Sequence, residues 1–190
     1  MHILRRPPVL AGLAVAAALL VVALAVFQPW KLFVDRTVDE APPVAAAPVA
    51  AAPVDPPAVV AEPEPEPEPV ATGPVELVRG EFISHEHASS GSVVILELAD
   101  GSRVLRLEDL DTSDGPLLKV WLTDAPVIEG TDGWYVFDDG AYVDLGELKG
   151  NIGSSNYEIP ADVDLDALTS VSIWCERFSV SFAAAELRPV

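Results

Sequence analysis

Val171-Ser172-Ile173-Trp174-Cys175-Glu176 and Phe178-Ser179-Val180-Ser181-Phe182, with Arg177 between them, decide how this chain folds. Both stretches alternate apolar and polar side chains with a period of two, the period of a β-strand rather than a helix. One face of the first carries Val171, Ile173 and Cys175; the other carries Ser172, Trp174 and Glu176. In the second, Phe178, Val180 and Phe182 oppose Ser179 and Ser181, and upstream Leu118, Val120 and Leu122 oppose Lys119 and Trp121. A strand with one apolar face buries it in a core shared with its neighbours, so Cys175 is expected on a core face. Trp121 and Trp174 fall on the opposite register, either half-exposed or covering a second layer.

Working outward, apolar-rich runs recur at 80–84, 93–98, 103–109, 117–122, 134–137, 142–145, 170–175 and 178–183. Turn formers separate them: Asp100-Gly101, Asp114-Gly115-Pro116, Asp132-Gly133, Asp139-Gly140 and Gly150-Asn151. No long window carries a helical stripe, and residues 166–168 allow one short helical turn at most. Many short strands at regular spacing predict an all-β domain over 75–190, an antiparallel β-sandwich or barrel-like fold.

The N-terminal half has a different character. Residues 9–27 form an uninterrupted apolar run, long enough to cross a bilayer as a helix that satisfies its own backbone hydrogen bonds. Arg5 and Arg6 precede it, while Lys31 and Arg36 follow with Asp35 as a partial offset. The stronger positive flank is expected to stay cytoplasmic, with residues 1–8 inside and everything after Phe27 outside. The competing reading is a cleaved secretory signal, for which Ala23-Leu24-Ala25 resembles a small-x-small site. Residues 28–74 read as an extracytoplasmic Pro/Ala/Glu-rich linker ending in the repeat from Glu62 to Pro69. Proline at alternate positions removes backbone donors and favours polyproline II. Fully extended, such a stalk spans on the order of 100 Å.

Charge narrows the partners. The 190 residues carry a formal charge of −19, and from Val75 onward 22 acidic side chains face 7 basic ones. So acidic a surface repels phosphate backbones and anionic headgroups, which argues against nucleic acid and against the domain lying flat on a membrane. The expected partners are the membrane, through the helix, and an envelope protein or redox partner.

The chemistry is sparse. Cys175 is the single cysteine, so no internal disulfide forms in any compartment. It reads either as a small buried hydrophobe or as a redox-active thiol or cofactor ligand, which needs nearby positive charge or a metal to be stable as thiolate. In His85-Glu86-His87, a strand would project His85 and His87 on one face, where they could share a metal; a solvated loop is the other reading. No third ligand is specified by spacing. C-x-x-C-H is absent and Met1 is the only methionine, so any haem would be non-covalent and held by Cys175, His85 or His87. Asp138-Asp139 and Asp109-Leu110-Asp111 read as solvated acidic loops or weak Ca²⁺ sites. No phosphate loop, nucleophile elbow or complete acid–base set is visible, so ordinary turnover is not expected.

Several stretches together carry a family resemblance. They are Gly80-Glu81-Phe82 with His87 and Gly91; Val104 to Glu108; Gly115-Pro116 followed by Val120-Trp121-Leu122; Leu148-Lys149-Gly150-Asn151-Ile152-Gly153 with Asn156 to Pro160; and 171–175 running into 178–182. This string, spanning residues 80–187, resembles the DM13 domain, a small extracellular module associated with electron transfer. Leu117 stands where the family pattern has Asp, and Ala183 where it has Gly. The resemblance implies a redox role for Cys175, as a bare thiol or through a prosthetic group such as haem, with His87 the second candidate for cofactor binding. The alternative is a non-catalytic binding module with an inert Cys175, for which Trp121, Trp134 and Trp174, if exposed, are the expected contact residues.

Overall fold

The computed structural model describes residues 7–44 and 73–190. The stalk expected between them lies mostly outside the described residues. An α-helix, α1, runs from Pro7 to Phe27, two residues earlier than the apolar run; its two prolines fall in the first turn, where no helical N–H partner is needed. Its Leu10–Phe27 window has a mean hydropathy of 2.8 and none of it is buried, as for a helix meant for an apolar surrounding or for removal as a signal. A short 3₁₀ turn, Pro29–Phe33, follows.

The rest is all-β: one curled, mixed sheet of ten strands, barrel-like on one side. In chain order they are β1 Thr37–Asp39, β2 Val75–Ser84, β3 Ser90–Glu97, β4 Arg103–Asp111, β5 Leu118–Thr123, β6 Tyr142–Glu147, β7 Ile152–Ile159, β8 Ser170–Cys175, β9 Val180–Glu186 and β10 Arg188–Pro189. The order across the sheet is β1-β7-β4-β3-β2-β9-β8-β5-β6, with β10 also on β2. Strand β2 makes the curl. Its first part pairs with β3 and its last three residues, Phe82 to Ser84, pair with β9. One long strand thus serves both halves, and the concave side holds the main core of Ile95, Leu105, Leu107, Val120, Leu122, Val171, Ile173, Cys175 and Phe182.

The predicted alternation is observed over 171–175 and 180–182, with both faces covered, whereas Phe178 lies in the turn and is exposed. Trp121 and Trp174 are 5% and 1% exposed; they stack at 5.1 Å in a second, outer cluster with Phe137 and Ala184. They are therefore not contact residues on the surface, and Trp134 is only part-exposed, packed against the main core. The cover is the long connection between β5 and β6, which the sequence suggested would contain a strand at 134–137. Instead it makes a 3₁₀ turn at Thr131–Gly133 and folds back, burying Phe137 completely. Any Cβ at Gly133 would collide with the Ile128 carbonyl, so this tight approach takes glycine.

Three strands escaped the pattern, β1, β7 and the two-residue β10. Strand β7 has few apolar residues, yet it lies between β4 and β1 and its backbone is paired on both sides. Strand β1 falls in the predicted linker and pairs parallel with β7, the one parallel pair described. The last long strand begins at Val180 rather than 178, because Glu176 to Ser179 form the turn from β8.

Candidate functional site

Cys175 closes β8 at the point where the chain turns, paired laterally with Leu118 of β5 and Val180 of β9. Its side chain is fully buried at 0% exposure. The surroundings are not wholly hydrocarbon: Sγ donates to the Pro116 carbonyl at 3.3 Å, and the backbone amides of Arg177 and Phe178 in the following turn lie near it, that of Phe178 donating to the Cys175 carbonyl at 3.2 Å. Burial pushes the thiol above its ordinary pKa; those two amides and the Arg177 charge pull it back, while Glu86 adds to the rise. At rest the group is a protonated thiol.

Two loops wrap this sulfur, and each contains a non-glycine residue in the left-handed region. Leu117 has φ +64° and Ser179 φ +49°; the first loop is tied to the second by Glu176 N–H donating to the Leu117 carbonyl at 3.1 Å. A left-handed L-residue costs roughly 1–2 kcal/mol, so strain is held on both sides of the thiol. The Asp that the family pattern has at 117 tolerates this region far better than Leu.

The two imidazoles do not share a site. Residues 85–87 form a bend after β2 rather than a strand, and the rings diverge. His87 packs on Phe182 with centroids 4.0 Å apart and pairs with Glu86 through Nε2 at 2.5 Å. His85, only 6% exposed, turns to the outer cluster: Nε2 donates to the Ile128 carbonyl at 3.1 Å and Nδ1 meets Ser181 Oγ at 2.9 Å. Ser181 and Phe182 are consecutive in β9, hence on opposite faces. Burial lowers the His85 pKa against the opposing pull of the Ile128 carbonyl, which keeps the ring neutral. Among the described residues no group of three His, Cys, Asp or Glu side chains could hold a metal. Asp138-Asp139 and Asp109 to Asp111 lie on separate turns and strand ends.

Haem fits poorly here. Nearest to the sulfur is a cleft of about 170 Å³ beyond the wall of Pro116, Leu117 and Leu118, edged by Gln28, Lys31, Arg36, Glu147 and Arg177. It is below the range of pockets that enclose ligands of cofactor size. A larger open cleft of about 610 Å³, between β2, β10 and Val127–Glu129, contains neither Cys nor His. The residues present do not suit a haem ligated by Cys175, and both nitrogens of His85 are already engaged.

The cysteine and both histidines were legible in the sequence, but the Pro116 carbonyl, the two turn amides and the strained pair at 117 and 179 were not. The one available hint was Leu117 itself, apolar where the resembling pattern is acidic. A family model described as "Electron transfer DM13" matches residues 81–187, which include Cys175, both imidazoles and both strained loops. Comparison with curated proteins and with solved structures returned no match. Since that one model spans more than half of the chain and the whole surroundings of the thiol, the chain belongs to the DM13 family.

Proposed function

We propose that this is an extracytoplasmic, membrane-tethered DM13 module with a redox-related role, and that Cys175 is its redox-active atom. The observation that carries this reading is a buried sulfur bonded to the Pro116 carbonyl and flanked by two strained loops, with the turn amides of Arg177 and Phe178 beside it. A sulfur that served only as core filling has no need of strained backbone on both sides of it. Those amides would stabilise a thiolate once the loops part, and strain on both sides lowers the cost of parting them.

A lone thiol moves electrons only with a partner. The balanced step is thiol–disulfide exchange with an envelope protein or a small disulfide. Sγ gives up its proton and attacks one sulfur, and the other sulfur leaves as thiolate and takes a proton. The acidic surface disfavours nucleic acid. The N-terminal helix supports tethering as an anchor, with Arg5 and Arg6 on the cytoplasmic side.

Incubating the full-length protein with graded ratios of oxidised to reduced glutathione tests the reading by intact mass. A reversible mixed disulfide at Cys175 in a still-folded domain is expected, absent in Cys175→Ala. No adduct short of unfolding would identify the thiol as inert core and leave a non-catalytic module. Adding haem to the same samples should give no Cys175-dependent Soret shift.

A further inference from the structure

The edge of β7 is carved to receive a strand. Cβ atoms at Gly150 and Gly153 would strike the backbone of residues lying there: at Gly150 the contact to the Arg36 carbonyl would be 2.5 Å, and at Gly153 (φ +101°) the Val38 carbonyl stands in the way. Side chains mark both ends of the groove. At one end Asp114, 2% exposed, takes the Arg36 guanidinium on both oxygens at 3.0 and 3.2 Å. Beside it the buried Asn151 accepts the Arg36 N–H at 2.7 Å and donates to Asp35 at 3.1 Å. At the other end Lys149 donates to the Glu40 carboxylate at 2.9 and 3.1 Å, the Asn156 N–H donates to it at 2.7 Å, and Arg106 holds the Glu40 carbonyl at 2.9 Å. Burial works against the Glu40 carboxylate, but Lys149 and the Asn156 amide outweigh it and hold its pKa below the usual range. Between these ends Thr37, Val38 and Asp39 pair with Ile152, Gly153 and Ser154.

An empty groove would strip the Arg36 charge from Asp114, leaving it only the Gly115 N–H, and would leave the Asn151 side-chain oxygen without the Arg36 N–H while its amide still bonds the Thr112 carbonyl, which is costly. The receiving residues all lie within 81–187, the family-matched part; the strand they receive does not.

We propose that the β7 edge is a strand-binding site for an extended peptide with Arg and Glu four residues apart. Its occupant in this chain, Arg36–Glu40, clips the domain to the end of α1. The helix ends at Phe27 and the clip begins at Arg36, so the domain sits within a few residues of the helix. Both ends of the Pro-rich stretch are held by the same domain, through Ala41 bonded to Asn156 and through β2. The length of that stretch therefore does not set the distance of the domain from the helix while the clip is closed. β-Strand addition gives affinity from the backbone, and the charged ends give selectivity.

The test uses the full chain, tagged at the N-terminus, in detergent, with a protease site substituted for residues 62–69. After complete cleavage the C-terminal fragment should stay with the tagged fragment at micromolar concentration. The double variant Arg36→Ala, Glu40→Ala should lose co-elution while its circular dichroism is kept, since none of residues 36–40 belongs to either core cluster. A synthetic peptide of residues 33–42 should displace the tagged fragment. Release of the C-terminal fragment from the otherwise wild-type chain on cleavage would overturn the proposal, and so would retention by the double variant.

Discussion

Two buried polar groups lie on opposite faces of the β8–β9 pair, and they are treated very differently. On the outer face His85 has both ring nitrogens bonded, and Ser181 passes the network on to Ser172 at 3.0 Å beneath the stacked Trp121 and Trp174. On the inner face Cys175 has one weak S–H donor spent on a carbonyl and strained loops beside it. A buried group whose bonds are all made specifies one packing. A group held by one weak bond with local strain beside it is where a second state is cheapest. On the reading proposed above, the imidazole is the structural residue and the thiol the functional one.

The largest effect that could break this contrast is the loss of His85. Replacing it by Ala strands the Ile128 carbonyl and opens a cavity, and should destabilise the fold by about 3 kcal/mol in urea unfolding. An unchanged midpoint would mean that the outer network is ornamental.

Next in size is a pH effect. The folded pKa of His85 lies below its ordinary value, so the folded state binds fewer protons than the unfolded one. Its contribution is intact above about pH 6.5 and is lost as pH falls from there toward the folded pKa, by at most about 1.4 kcal/mol per pH unit. His85→Gln should flatten the slope of the urea midpoint between pH 7.5 and 5.5. The Glu40 clip loses strength only at lower pH, below the ordinary carboxylate range, since its pKa is depressed.

Cys175→Ala is expected to cost less, about 1 kcal/mol, because it removes one buried sulfur and one weak hydrogen bond. A cost as large as that of His85→Ala, measured in the same urea series, would make the thiol a structural residue too. Smallest is Leu117→Asn, which should stabilise by about 0.5–1 kcal/mol by suiting the left-handed backbone. Because it relaxes one of the two strained loops, it should also slow any reaction of the thiol.

How much of this was legible in the sequence depended on whether side chains or backbone carried the information. The period-two pattern in 171–176 and 178–182 placed Cys175 on the core face and Trp174 on the other, because apolar side chains alternate where one face is buried. Strand β7 was invisible to the same reading: Gly153, Ser154, Ser155 and Asn156 carry no apolar alternation, and three of them meet the strand laid alongside through backbone contacts. The clip at Arg36–Glu40 was likewise hidden, since a short polar segment next to a Pro-rich run carries no periodicity. Its partners are 66 or more residues away in sequence, Arg106, Asp114 and Lys149 among them. His85 and His87 were assigned a common face because a strand was assumed there, and one bend reversed it.

The account turns on whether the sulfur can be reached from the folded protein. The direct measurement is the rate at which a small thiol reagent modifies Cys175 in the full-length chain, followed against urea and set beside the global unfolding curve. Opening of the loops at 115–118 and 176–179 exposes little surface, so the rate should be nearly independent of low urea and exceed that set by global unfolding. A rate that rises with the full urea dependence of unfolding, and coincides with it throughout, would contradict the account and leave Cys175 as core filling.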